Sequence, residues 1–288
     1  MNWKRTVNDA LARAGYEVRR KGSPPSRTPP RKGPRRPVAV PGGDRLVTAP
    51  TFILCTLRSG STLLRVLLDS HSQVFSPHEL HLRYVAVDLK AKWAERSMKE
   101  SGLDARGLEY LLWDRVLHRE LSASGKPMIV EKTPNNVFLA DRLRECWPDA
   151  RFIFLLRHPA AIARSRAAWK DDDPAQEDNV AMIRRYCDAL ESARQTYDGH
   201  TVRYEELTAD PERVMRGVCD FLGLTWEPAM LEYGQFDHGR YKPGIGDWSD
   251  KIKTGAIQAP EPPPPLEEIP EGLRPMCERW GYLPTGDA

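Results

Sequence analysis

Residues 51–69 read TFILCTLRSGSTLLRVLLD and divide into three successive patterns. Residues 51–56 form an apolar run with β-branched members, long enough for one buried strand and too short for a buried helix. Residues 57–60 make a tight polar turn, and the leucines within residues 61–69 recur at the spacing of one helix face. The stretch therefore predicts a strand, a turn and a helix.

The turn is predicted to bind an anion, because backbone N–H groups and the positive end of the helix dipole meet there. The side chains around it are those of Arg58, Ser59, Gly60, Ser61 and Thr62. The alternative, that a hydroxyl simply caps the helix and Gly60 simply makes the turn, stays open. No GxxxxGK[ST] pattern occurs here, so the loop lacks the lysine that reaches nucleoside triphosphates. We therefore expect a phosphate or sulfuryl group that does not belong to ATP or GTP.

Length and composition indicate one globular α/β domain with a tail: the chain has 288 residues, 40% hydrophobic and 29% charged. Its formal charge of +3 becomes −5 once the eight basic residues of residues 19–36 are set aside. Five cysteines without a CxxC pair fit a reducing compartment. No stretch approaches a membrane-spanning length, and we expect a cytoplasmic protein without a membrane span or a specific nucleic-acid partner. Oligomeric state is not predicted.

Three regions are predicted along the chain. Residues 1–18 fit one short helix, and residues 19–45 form a basic, proline-rich linker to which no chemistry is assigned. Residues 46–288 then hold the α/β domain. After the first helix of this domain, we expect residues 74–83 to form a short polar connection rich in titratable groups.

Strands and helices alternate in the predicted domain. The apolar runs that predict strands are residues 51–56, 128–131, 151–156 and 201–204. The helices are predicted over residues 61–69, 82–100, 108–121, 135–147, 160–169, 172–197, 210–222 and 267–280. This alternation is typical of a central parallel sheet with helices on its faces.

Cationic side chains follow three of these strands. Arg58, Lys132 and Arg157 each come at or just after the carboxyl end of a predicted strand. Ligands of open parallel sheets bind beyond that edge. The three cations are therefore expected to line one cleft.

Four segments carry a resemblance to a known family. They are RSGSTLLR at 58–65, EKTPNN at 131–136, LLRHPAAIARS at 155–165 and VRYEEL at 202–207. In this order they resemble the sulfotransferases that use 3′-phosphoadenosine 5′-phosphosulfate (PAPS), with a layout similar to the bacterial and tyrosylprotein branch. The resemblance implies a P-loop-like α/β fold and transfer of a sulfuryl group from PAPS to a hydroxyl, with release of PAP.

The resemblance also implies a binding role for each motif. The loop of residues 58–62 would hold the 5′-phosphosulfate, while Arg157 and Ser165 would hold the 3′-phosphate. Tyr204 would contact the nucleotide.

A glycine-rich loop closes the nucleotide site in the cytosolic branch of that family. Here only GDWSDKIKTG at residues 246–255 takes its place. We expect Lys251 or Lys253 of this segment to play a similar part.

For the chemistry, the resemblance implies that Arg58 and Lys132 stabilise developing negative charge. Glu79 matches the position of the family's general base, and His78 and His81 compete with it because imidazole titrates nearer neutral pH. The two histidines lack the further ligands that a zinc site needs, so no metal is predicted.

Two alternatives to sulfuryl transfer remain at this point. A nucleotide-dependent phosphotransferase with a divergent loop would require Mg²⁺. A catalytically silent PAP-binding protein would keep the pocket without the chemistry.

The acceptor is expected to be the hydroxyl of a small metabolite or of a lipid or glycan, and a carrier-bound metabolite or a protein tyrosine is also compatible with the sequence. Aromatic side chains are expected either to wall the acceptor pocket or to pack in the core. They are Trp93, Tyr110, Trp113, Phe236 and Trp248.

Overall fold

The computed structural model of the chain describes residues 44–168, 178–239, 250–259 and 261–284. All of them belong to one compact unit. The predicted helix of residues 1–18 and all but the last two residues of the predicted linker lie outside the described residues. The domain boundary at residue 46 stays a prediction.

Five strands form one sheet: β1 Thr51–Cys55, β2 Val74–Phe75, β3 Met128–Glu131, β4 Arg151–Leu156 and β5 Gly199–Arg203. The α-helices among the described residues are α1 Ser61–Asp69, α2 Lys92–Glu100, α3 Ala105–Ser124, α4 Ala140–Cys146, α5 Pro159–Ala167, α6 Asn179–Thr196, α7 Tyr204–Ala209, α8 Pro211–Leu222, α9 Asp250–Lys253 and α10 Arg274–Arg279. Short 3₁₀ turns cover Leu82–Tyr84, Pro134–Leu139, Pro228–Gln235, Leu266–Glu268 and Glu271–Leu273.

All neighbouring strands of the sheet are parallel, in the order β2-β3-β1-β4-β5. The central pair is long: β1 and β4 run in register from Thr51 opposite Arg151 to Cys55 opposite Leu155. The predicted parallel sheet flanked by helices is confirmed. The predicted strands at residues 51–56, 128–131 and 151–156 lie within one residue of β1, β3 and β4.

The two faces of the sheet bury two separate cores because successive strand residues point to opposite sides. From β1, Phe52 and Leu54 join the core that α3, α4 and α6 cover. Ile53 and Cys55 join the core beneath α1 and α8. A strand buried on both faces reads as a continuous apolar run, which is why β1 is visible in the sequence.

Adjacent strands β1 and β4 send their helices to opposite faces of the sheet. Helix α1 packs Leu64 and Leu67 into one core, whereas α5 packs Ile162 into the other. A crevice opens between such a pair of strands at their carboxyl ends, and this is where ligands of open α/β sheets bind.

Several sequence predictions need correction. Residues 74–83 contain the edge strand β2. With only two residues, this strand is too short to be predicted from a sequence pattern. The predicted helix of residues 82–100 is one 3₁₀ turn followed by α2, with residues 85–91 between them. The predicted terminal helix of residues 267–280 is interrupted: it begins with two short 3₁₀ turns, and only Arg274–Arg279 is α-helical.

Other boundaries shift by a few residues for local reasons. Pro134 starts a 3₁₀ segment, so the α-helical part of residues 135–147 is only Ala140–Cys146. Tyr204 begins α7 and does not end a strand. Residues 172–177 of the predicted helix 172–197 lie outside the described residues.

Candidate active site

The amino terminus of α1 opens toward a cavity without a side-chain cap. Gly60 is the N-cap residue, with a φ of +83°, and no side chain accepts a hydrogen bond there. The Ser59 hydroxyl instead donates to the Thr56 carbonyl oxygen at 2.8 Å, while Ser61 and Thr62 are buried at the start of the helix. Because the first N–H groups of a helix have no intrahelical acceptor, this end of α1 is suited to an anion.

Gly60 is in close contact with the ring of Tyr204. A Cβ atom at residue 60 would lie 2.2 Å from Tyr204 Cδ2. Both the positive φ and this contact require glycine. The turn after β1 and the turn after β5 therefore pack directly on each other, which the sequence motifs alone do not reveal.

The turns after β1 and β4 are joined by arginine side chains. Arg157 donates from Nη1 to the Arg58 carbonyl oxygen at 2.8 Å, and its guanidinium lies 4.4 Å from the centre of the Tyr204 ring. Arg58 Nε lies 3.4 Å from Ser165 Oγ. Four residues that the sequence places on three different strand ends thus meet at one point.

These residues line a cavity of about 430 Å³. A carboxylate from the carboxyl-terminal part of the chain also lies there: Glu261 Oε1 is 2.5 Å from Lys251 Nζ, and Glu261 Oε2 is 3.7 Å from Arg157 Nη2 and 3.8 Å from Arg164 Nη2. The hydrogen bond from Lys251 lowers the pKa of Glu261, and the arginine charges act in the same direction. The cavity is therefore lined by one ionised acid and four cations, Arg58, Arg157, Arg164 and Lys251.

The two candidate lysines of the segment 246–255 are separated. Lys251 lines the same cavity as Arg157. Lys253 lines a different cleft, between the Pro228–Gln235 turn and residues 252–257. The geometry therefore favours Lys251 of the pair for a part in this cavity.

A second cluster lies at the end of β3. Lys132 is 1% exposed and forms an ion pair with Glu79 Oε1. His81 Nε2 lies 3.5 Å from Glu79 Oε2. His78 is exposed and makes no hydrogen bond or ion pair with any described residue. Of the five residues predicted for proton transfer and charge stabilisation, the structure thus brings Lys132, Glu79 and His81 together here, while Arg58 lies at the turn after β1.

Cys55 connects this cluster with the turn after β1. The thiol is buried at the end of β1, and burial raises its pKa to about 11. The charge of Lys132 and hydrogen bonds involving Ser61 and Ser59 oppose the rise, while the charge of Glu79 adds to it. The thiol is therefore protonated, and it is close to both groups of polar residues.

Three residues of the site were missed by sequence reasoning. Arg164 lies one position before Ser165 and carries no motif of its own. Glu261 belongs to a proline-rich connector that reads as a spacer. Glu131 precedes Lys132 and is 0% exposed, although a glutamate at a strand end reads as a surface residue. Of these three residues, only Glu131 could have been found from the sequence, because it is a charged residue in an otherwise apolar strand.

Comparison with known families decides what kind of protein this is. The family model described as "Sulfotransferase family" matches residues 50–228, more than half of the chain. The chain belongs to the sulfotransferase family. The match includes the turns after β1 and β4 and the Lys132–Glu79 pair, whereas Lys251 and Glu261 lie beyond it.

Individual relatives are distant. Protein-tyrosine sulfotransferase 2 of Gallus gallus is 24% identical over 262 residues, which is 81% of this chain and 69% of that protein. An uncharacterized protein of Aquifex aeolicus is 28% identical over 209 residues, 64% of this chain, and the chain spans only 26% of that protein. The sulfotransferase domain from the curacin biosynthetic pathway has a TM-score of 0.57 at 22% identity, covering 82% of this chain and 99% of that domain. The structural likeness shows the fold.

Two further searches cover the described residues only. No helix among them is long and apolar enough to cross a bilayer. They also contain no group of three or more His, Cys, Asp or Glu side chains placed to hold a metal ion.

Proposed function

We propose that this member of the sulfotransferase family transfers a sulfuryl group from PAPS to an acceptor hydroxyl and releases PAP. One observation carries the proposal: two cationic turns, after β1 and after β4, open onto one cavity of about 430 Å³. PAPS has a phosphosulfate at its 5′ end and a phosphate at its 3′ end. A ligand with two anionic ends matches a cavity with two anion-binding turns.

The proposed donor contacts follow from this match. Residues 58–62, with the uncapped start of α1, hold the 5′-phosphosulfate, since helix amino termini favour anions. Arg157 and Ser165 hold the 3′-phosphate. Tyr204 and Lys251 contact the nucleotide between them, and Lys253, which lines a different cleft, is left without a role.

The reaction is an in-line displacement at sulfur. The acceptor oxygen forms a bond to sulfur, and the bond between sulfur and the bridging oxygen of the 5′-phosphate breaks. The electron pair of that bond leaves with PAP, and the acceptor proton goes to a base. Lys132 and Arg58 stabilise the charge that grows on the leaving oxygen.

Glu79 is the proposed base. Its carboxylate is held against Lys132 and lies near His81, so a proton taken from the acceptor can be retained or passed to the imidazole. His81 is the second candidate because of that contact. His78 becomes the weakest of the three, since it is exposed and has no hydrogen bond or ion pair with Glu79 or Lys132.

The proposed acceptor is the hydroxyl of a small metabolite, a lipid or a glycan. For the aromatic residues the sequence left wall and core open, and two of them are core residues: Trp113 is 0% and Tyr110 is 4% exposed. Trp93 and Phe236 are exposed, and Trp248 lies outside the described residues. We assign the acceptor entrance to the exposed Tyr84, because the centre of its ring lies 6.3 Å from that of His81, the neighbour of the proposed base.

A transfer assay tests the proposal. The chain is incubated with [³⁵S]PAPS and a panel of acceptors: a simple phenol, a tyrosine peptide, an alkyl alcohol and a sugar. We expect label on at least one acceptor, with Glu79→Gln lowering turnover by about 10²-fold or more while PAP binding stays the same. A parallel assay with [γ-³²P]ATP and Mg²⁺ covers the phosphotransferase alternative. Label transferred only from ATP, or PAP binding without any transfer to the panel, would contradict the proposal.

A further inference from the structure

Glu131 is a buried carboxylate that the proposed chemistry does not use. It ends β3 and is 0% exposed. Its Oε1 accepts hydrogen bonds from the Leu80 N–H at 3.1 Å and from Thr133 Oγ1 at 2.6 Å. Its Oε2 accepts one from Asn136 Nδ2. These three hydrogen bonds therefore come from residues that closely follow Glu79 or Lys132 in the chain.

Thr133 extends the network to the next residue of the Glu79 segment. Its Oγ1 donates to Glu131 and accepts a hydrogen bond from the His81 N–H at 3.3 Å. The two peptide N–H groups that follow Glu79 in the chain are thus fixed, one by Glu131 and one by Thr133. Lys132 lies between these two anchors in sequence.

The anchored backbone has an unfavourable conformation. His81 has a φ of +50°, in the left-handed region that non-glycine residues rarely adopt. A residue in this conformation is strained and persists only where its surroundings hold it. The hydrogen bonds to residues 80 and 81 are contacts of the kind that hold it.

We propose that Glu131 and Thr133 act together as a clamp that positions Glu79 against Lys132. The inference rests on the proposed function only in giving Glu79 a catalytic role. Glu131 and Thr133 are positioning residues, because they reach the reaction through the backbone of residues 80 and 81. Releasing the clamp lets the Glu79 carboxylate move away from Lys132 and from the acceptor.

The clamp does not require Glu131 to be charged. Burial raises the pKa of Glu131, and the hydrogen bonds from Thr133, Leu80 and Asn136 oppose the rise. Asn136 Oδ1 is buried and has no hydrogen-bond partner among the described residues. A glutamine at residue 131 would keep the acceptor for Leu80 and Thr133, and its amide would donate to Asn136 Oδ1 after a turn of that side chain.

The first test variant is Thr133→Val, which keeps the shape and removes the hydroxyl. We expect kcat for transfer from PAPS, with the best acceptor of the panel, to fall about 10- to 100-fold. The Kd for PAP should stay within about twofold, because the nucleotide contacts are elsewhere. Amide hydrogen exchange at Leu80 and His81, measured without ligand, should become about tenfold faster or more. The matched control is Thr51→Val, at a buried hydroxyl of β1 without a partner among the described residues, and it should leave all three values unchanged.

The second variant, Glu131→Gln, separates positioning from chemistry. A positioning role predicts a kcat within about threefold of the parent, as the amide keeps the acceptor oxygen for Leu80 and Thr133. A loss as large as that of Glu79→Gln would overturn the proposal, and so would Thr133→Val with parental kcat and parental exchange. If the parent transfers no sulfuryl group while Thr133→Val still speeds exchange at residues 80 and 81, the proposed function fails and the clamp stands.

Discussion

Gly60 is required for two reasons, its positive φ and its contact with Tyr204, and comparison with a second glycine separates them. Gly60→Ala adds a methyl group at a φ of +83° and places it 2.2 Å from the Tyr204 ring. Gly223 is the matched control, because it has a φ of +72° with open space around it. We expect Gly223→Ala to cost about 1–2 kcal/mol for the backbone alone, and Gly60→Ala to cost about 1–3 kcal/mol more for overpacking. Urea denaturation measures both, and equal losses would contradict the contact.

Arg157 is the residue on which the proposed 3′-phosphate site depends. Arg157→Ala removes a guanidinium that lines the cavity, and we expect PAP binding to weaken by about 1–3 kcal/mol, the scale of a charge-assisted hydrogen bond. Isothermal titration calorimetry measures the change. Arg216→Ala, at an exposed arginine paired with Glu212, is the control and should bind PAP normally. Parental affinity in Arg157→Ala would reject the 3′-phosphate assignment.

His158 makes the stability of the fold depend on pH. Its Nδ1 accepts a hydrogen bond from the Ala160 N–H at 3.2 Å, and burial lowers its pKa below the usual range. The unfolded imidazole takes up a proton near pH 6.5, so protonation favours unfolding below that pH. We expect the free energy of unfolding to fall as the pH drops from about 6.5 through the folded pKa, with a slope of at most ~1.4 kcal/mol per unit.

The variant His158→Asn isolates this contribution, because asparagine keeps an acceptor for the start of α5 and does not titrate. Unfolding free energies at pH 7.5 and 5.5 should differ less in His158→Asn than in the parent. His118→Asn, in α3, is the comparison for loss of a histidine as such. If the free energy of unfolding fell equally between pH 7.5 and 5.5 in His158→Asn and in the parent, His158 would not be the source of the pH dependence.

At the scale of elements, a buried aspartate connects α3 to the segment before β1. Asp114 is 2% exposed and accepts hydrogen bonds from the N–H groups of Leu46 and Val47 and from Trp147 Nε1. Asp114→Asn replaces one acceptor oxygen with a donor, leaving a buried N–H unsatisfied. We expect a loss of about 1–3 kcal/mol in urea denaturation. Asp104→Asn at the N-cap of α3 should cost almost nothing, since the two residues cap equally well.

The elements that the sequence predicted well are those that depend on local pattern. Strands β1 and β4 are continuous apolar runs followed by turns with Arg58 and Arg157, so both their position and their exit are visible in the sequence. Strand β2 has only two residues and owes its existence to pairing with β3. The 3₁₀ turns at residues 134–139, 266–268 and 271–273 each follow or begin at a proline and are likewise not visible as a periodic pattern.

At the scale of the whole molecule, the sequence predicted which strand ends carry the site but not all of the groups that complete it. Glu261 enters the cavity only because a distant proline-rich segment docks there, and no local pattern encodes that contact. Tyr110 and Trp113 were candidate pocket walls, yet α3 places both in the core. Residues that bind through tertiary docking are the ones that a single sequence leaves undetermined.

The central claim is that one cavity of this chain binds a nucleotide with two anionic ends. Thermal unfolding tests it with three ligands in parallel: PAP, adenosine 5′-phosphosulfate without the 3′-phosphate, and Mg-ATP. A ligand at 100 times its Kd adds about 2.7 kcal/mol to the folded state, which is a shift of roughly 5–10 °C for a domain of this size. We predict that PAP gives this shift and that the other two give much less. A larger shift with Mg-ATP than with PAP would contradict the account and would indicate that both turns belong to a phosphotransferase.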